Sequence, residues 1–273
     1  MYNKIILSLS ITTLLLLGNI TNIFAHELWV DPEIASANMQ TKIAAHVRVG
    51  QNFRGPKQYY IPEDINETYI TDVAGRTDLK GIIGDELIFD RLAKHPGLQI
   101  LTYHSNPLKL TYKKFEKFEK FVTGKGLNWV LDEHKKRGLP ELGFYESYTR
   151  YAKALVTRGS TAGSDKQTGL MFELIALKNP YEFKISETEN MLPIKLIWKG
   201  KPFSNSQISV FENTGEEVKS THIRTNEAGI ANLPITKNAS YLLNSVQMTA
   251  ELPETGVVWK SHWASLTFTV ETQ

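Results

Sequence analysis

The chain has no cysteine among its 273 residues, which removes disulfides, zinc–thiolate sites, iron–sulfur clusters and cysteine nucleophiles from consideration. It also lacks an excess of charge of either sign, with 31 Lys and Arg against 29 Asp and Glu and a formal net charge of +2. That balance supplies no broad field for phosphate backbones or acidic lipid surfaces, so nucleic acid is set aside as a partner. Long apolar runs are absent beyond the first residues. What is present is 41% hydrophobic and 22% charged residues, enough apolar material for a core and too little charge for disorder. Any metal must therefore be held by histidine, carboxylate or backbone nitrogen.

Met1 to Lys4 carry one positive charge, Ile5 to Leu17 form an apolar run, and Asn22-Ile23-Phe24-Ala25 ends on a small residue. This order reads as a secretory signal over residues 1–25, with a run too short to span a bilayer. The expectation is a periplasmic or secreted protein, with no stable membrane insertion after cleavage. Cleavage after Ala25 makes His26 the first residue. An N-terminal histidine presents its α-amine and its imidazole Nδ1 together, a chelate suited to nickel, cobalt, copper or zinc.

The segments from His26 to Asp31 and from Lys42 to Val49 have the β-branched enrichment of strands, and Gly50 and Pro56 punctuate the loops after them. Further strands are expected at Glu67–Val73, Glu86–Leu92 and Leu98–Tyr103. From Tyr112 the period becomes helical: Phe115, Phe118 and Val122, then Leu127, Val130, Leu131 and His134, ending at Arg137-Gly138. Tyr145 to Thr157 is expected as a helix or turn running into a strand, and Leu170 to Leu177 as a buried strand. Beyond Asn179-Pro180-Tyr181, about seven strands crowd the remaining residues. The expected fold is mainly β: two immunoglobulin- or transthyretin-like β-sandwich domains, 26–183 with a helical insertion near 112–155, and 184–273.

Four ordered motifs carry a resemblance. His26-Glu27-Leu28-Trp29-Val30-Asp31-Pro32 stands directly after the signal. The segments from Val47 to Phe53, from Tyr148 to Val156 and from Trp263 to Phe268 then appear in order. Together they resemble an exported bacterial family of unknown function whose members are often labelled NikM-like periplasmic components of nickel/cobalt uptake. The resemblance runs from His26 to the C-terminus. It implies a metal role for His26 and Glu27, and it points to the segment holding Gln247-Met248. Relatives typically show a histidine where this chain has Gln247, and the sequence leaves open whether His262, in the later motif, replaces that nitrogen.

His26, His46, His104 and His262 are thus the candidate metal ligands. His46 lies in an alternating strand and His104 at a strand end before Ser105-Asn106-Pro107. His95 and His134 read as surface residues. No His-x-x-x-His spacing occurs. An N-terminal histidine with a second histidine on a β-sandwich is also the arrangement of copper-dependent polysaccharide monooxygenases, but Trp259 and Trp263 fit sheet packing better than a sugar platform. No Gly-x-Ser-x-Gly elbow and no defined carboxylate pair occurs, so the expectation is a protein without catalysis. Two readings remain. One is an accessory protein that captures Ni²⁺, Co²⁺ or a similar divalent ion and presents it to an envelope transporter. The other is a metal-free β-sandwich interaction module of the envelope.

Overall fold

The computed structural model describes residues 26–186, 190–252, 254 and 256–271; the expected signal segment lies outside them. The chain opens with β1 (Glu27–Pro32), β2 (Ser36–Ala37), β3 (Ile43–Gly50), β4 (Ile65–Asp72) and β5 (Gly75–Leu79). Next come β6 (Leu87–Arg91), β7 (Gly97–Ser105) and β8 (Leu108–Tyr112), then α1 (Phe115–Gly124) and α2 (Trp129–Lys136). The long β9 (Phe144–Arg158) leads to β10 (Phe172–Ala176), β11 (Met191–Trp198) and β12 (Lys201–Pro202). β13 (Gln207–Asn213), β14 (Val218–Arg224), β15 (Ile230–Pro234), β16 (Ala239–Ala250) and β17 (Trp259–Val270) complete it.

A ten-stranded sheet forms the middle layer, in the order β14-β13-β16-β17-β9-β7-β4-β5, with β2 and β8 also paired to β9. Its central contact is parallel: β17 runs alongside β9 from Trp259 opposite Glu146 to Thr267 opposite Ala154. Strands of residues 26–183 and of residues 184–273 therefore share this one sheet. The period of two along β9 sends alternate side chains to opposite faces. Tyr151 and Leu155 enter a core with Phe172, Leu174, Leu196, Tyr241 and Leu266, beneath the sheet made by β10, β11, β12 and β15. Ala152, Ala154 and Val156 enter the opposite core with Val30, Val47 and Phe89, beneath the sheet β1-β3-β6. The fold is mainly β, a stack of sheets with a short helical insertion.

The insertion covers the face that β1-β3-β6 leaves open. Phe118, Phe121 and Val122 of α1 and Val130 of α2 pack on Trp259 and Trp263, and the Phe121 and Trp263 rings stack 5.3 Å apart. Both tryptophans are buried, so their aromatic faces serve packing. Gly138 ends α2 in the left-handed region at φ 63°, while Leu139 N–H bonds back to the His134 carbonyl, the geometry of a glycine-terminated helix.

Three local readings differ from the sequence expectation. Residues 144–158 form a strand throughout, because β9 is flanked on both sides and its apolar residues serve two cores. β5 has too little apolar alternation to signal itself and exists as a partner of β4, while β8, five residues directly ahead of the helical insertion, alternates at Leu108, Leu110 and Tyr112 and pairs with β9. His134 is buried rather than at the surface. It sits four residues after Val130 on the inward face of α2, where its Nδ1 accepts from Trp259 Nε1 at 3.0 Å and its Nε2 donates to the Pro140 carbonyl at 3.0 Å.

Candidate functional site

The first strand starts beside a polar pocket. β1 is laid down by Leu28, Trp29 and Val30, all buried, and its pairing with β3 sets Glu27 opposite Gly50. Glu27 is consequently carried inside the fold although it is charged. Its Oε1 lies 2.5 Å from Lys125 Nζ, and the same ammonium donates to Asn244 Oδ1 at 3.0 Å. Lys125 comes just after the last turn of α1 and sits 5.2 Å over the Trp263 ring, so the helix end is fixed over the sheet at the point where β1 begins. Glu27 Oε2 is buried and has no hydrogen-bond partner among the described residues.

His26 precedes this pair. Its backbone carbonyl accepts from the Arg150 guanidinium at 3.0 Å, which ties the start of β1 to the central strand β9. Partial burial holds the His26 imidazole below its ordinary pKa; the Glu27 carboxylate opposes that shift, and the cations Arg150 and Lys125 reinforce it. The ring is therefore neutral near pH 7, the form that binds metal. Adjoining these groups is a cavity of about 310 Å³ lined in part by Glu27, Gln51, Lys120, Lys125, Phe211 and His222.

A second cluster lies on the other face of the central sheet. Tyr151 of β9 pairs with His104 of β7, and on its other side β17 brings His262 opposite Thr149. The Tyr151 ring centroid is 4.6 Å from that of His104, and the Tyr151 hydroxyl donates to His262 Nδ1 at 3.2 Å. His104 Nδ1 donates to Glu67 Oε1 at 3.3 Å. Burial lowers the pKa of both histidines, against Glu67 in the case of His104; for His262 burial with nearby Lys199 and Lys260 takes it to about 4. The cross-strand register sets His262 directly opposite Gln247.

The four candidate ligands do not converge. His104 and His262 share Tyr151, while His26 lies beyond the opposite face. His46 is held elsewhere, with Nδ1 2.8 Å from the Glu86 carbonyl and Nε2 3.0 Å from Glu33 Oε1, so both ring nitrogens are taken by the fold. Among the described residues no group of three or more His, Asp and Glu side chains could hold a metal ion. Sequence reasoning reached His26 and Glu27 but missed Lys125, Asn244 and Arg150. Of these, Arg150 lay within the Tyr148–Val156 motif as a charged residue in an apolar strand.

Stacked sheets, a helical cap and a charged pocket at the first strand define a mainly β sandwich protein. Residues 23–249 match the model of a domain of unknown function, DUF4198, and the chain belongs to that family. No curated protein shows a significant match to it.

Proposed function

We propose that the protein is an exported metal-capture protein, in which cleavage before His26 frees an α-amine that binds Ni²⁺, Co²⁺ or a similar divalent ion together with the His26 imidazole. The observation that carries this reading is the seat of His26. Its carbonyl is anchored by Arg150 and its imidazole is held neutral at the mouth of the fold. A chelate of amine and imidazole leaves coordination positions open, which suits an ion taken up and passed on to an envelope transporter. Arg150 opposes a bound cation, and the unpartnered Oε2 of Glu27 next to it offsets that repulsion. His104 and His262 take no part in this site.

A second reading, a metal-free interaction module, is favoured by the absence of a three-residue metal group among the described residues and by the engagement of His46, His104 and His262 within the fold. Calorimetric titration with Ni²⁺, Co²⁺, Cu²⁺ and Zn²⁺ separates the two. The protein is first shown by mass spectrometry to begin at His26. Metal capture predicts stoichiometric binding with Kd below about 1 μM, lost in His26→Ala and in a form with a tag placed before His26. Binding that is absent, or indifferent to both changes, leaves the interaction module.

A further inference from the structure

The core beneath β10 contains three charged groups that the metal site does not use. Lys153 Nζ lies 2.8 Å from Asp165 Oδ1 and 3.0 Å from Glu173 Oε1, with side-chain exposures of 1% for the lysine and 0% for both carboxyls. The same nitrogen reaches the carbonyls of Lys166 and Leu174, each at 3.1 Å. Asp165 is further fixed through Oδ2, which accepts from Ala176 N–H at 2.8 Å, and Glu173 Oε1 accepts from the Thr168 amide and hydroxyl. Glu173 Oε2 is buried with no hydrogen-bond partner among the described residues. Two carboxyls facing one ammonium, out of reach of water, leave one negative charge uncompensated unless one carboxyl keeps its proton. Burial pushes Asp165 above the usual carboxylate range, the direction that favours its protonated form.

We propose that Lys153 and Asp165 are joined by an amide bond inside the core, with Glu173 as the proton carrier. The Lys153 ammonium gives one proton to the Glu173 carboxylate. Its two remaining N–H groups stay on the Lys166 and Leu174 carbonyls, and the freed lone pair faces the Asp165 carboxylic acid. Nitrogen attacks Cγ to form the C–N bond. Glu173 then delivers its proton to the departing hydroxyl and takes the second amine proton as the C–O bond breaks. Ammonium, carboxylic acid and carboxylate become amide, water and carboxylic acid, with no oxidant or co-reactant. Two features favour the step: fixed contact between the reacting groups, where effective molarities reach about 10⁵ to 10⁸ M, and a product that is neutral in a dry core. The bond would tie the loop carrying Asp165 to the central strand β9.

The test is the intact mass of the purified chain, with its first residue established. The expected result is a mass one water, about 18 Da, below the sequence value. A protease digest should then contain one branched peptide whose fragment ions place the link between Lys153 and Asp165. Lys153→Arg, which keeps the positive charge, and Asp165→Ala restore the full mass, and Glu173→Gln reduces the linked fraction at least tenfold. A wild-type chain at full mass, with Lys153 and Asp165 in separate peptides, overturns the proposal. So does a deficit that persists in Lys153→Arg, which would place a cyclic imide at Asp165. Because the wild-type measurement alone decides, misfolding of a variant does not protect the idea.

Discussion

Glu27 and Lys125 meet at 2.5 Å across 98 positions of sequence, joining the first strand to the end of the first helix with side-chain exposures of only 6% and 11%. Removing one partner leaves the other charge buried and unpaired, which costs more than the intact pair contributes. Lys125→Ala is expected to lose on the order of 3–5 kcal/mol in urea unfolding. Adding Glu27→Gln to that variant should recover a substantial part of the loss, the non-additivity expected of groups in direct contact.

Glu146 gives stability a pH dependence of unusual sign for a carboxyl. Burial pushes it up to about 7, against the hydrogen bonds from Ser261 and from Tyr112 at 2.7 Å. Between about pH 4.5 and about pH 7 the folded chain therefore keeps a proton that the unfolded chain has lost. Stability falls as pH rises through that window, by on the order of 3 kcal/mol in all. Denaturant melts at several pH values should show this fall in His262→Gln, where no opposing slope masks it, and lose it when Glu146→Gln is added.

His262 works in the opposite direction. With its pKa lowered to about 4 from 6.5, it stays neutral in the fold while the unfolded chain takes up a proton. Its contribution is fully present above about pH 6.5 and is lost as pH falls toward about 4, on the order of 2 kcal/mol once its partial exposure is allowed for. His262→Gln keeps an acceptor for the Tyr151 hydroxyl and should remove the acid-side loss. Where the Glu146 and His262 windows overlap, the two slopes oppose one another, so the wild-type curve should be flatter there than that of either variant.

His134 satisfies two buried partners at once, Trp259 Nε1 and the Pro140 carbonyl. His134→Phe fills the volume and leaves both without a partner, which predicts a loss of about 2–4 kcal/mol. The unfolding midpoint tracked by tryptophan fluorescence measures it directly. A change of under about 0.5 kcal/mol, the range of an ordinary surface substitution, would contradict the buried role.

Most strands were legible because their signals are local. The strands expected over Glu67–Val73 and Leu98–Tyr103 are found as Ile65–Asp72 and Gly97–Ser105, within two residues at each end. The helices were legible for the same reason, since Phe115, Phe118 and Val122 recur on one face. The burial of His134 was hidden by Lys135 and Lys136 beside it, although its spacing of four from Val130 carried the information. At the site, His26 could be named from the expected cleavage after Ala25, and Glu27 only through the family resemblance. Lys125, Asn244 and Arg150 could not, because what brings them there is the packing of α1 and the pairing of β16, β17 and β9, and no local pattern encodes a contact over that separation. The divergence of the four histidines is likewise a property of sheet faces: His104 and His262 flank one strand, and His46 lies in a separate sheet.

The parallel pairing of β17 with β9 also governs when the molecule can form. Seven strands separate β9 from β17, the strand that lies along one of its flanks and the last among the described residues. Contacts so distant in sequence carry a high loop-closure cost and are made slowly. Until Trp259–Val270 emerges, β9 offers an open hydrogen-bonding edge to any other extended chain, so a product truncated before β17 is expected to aggregate rather than persist as a folded half.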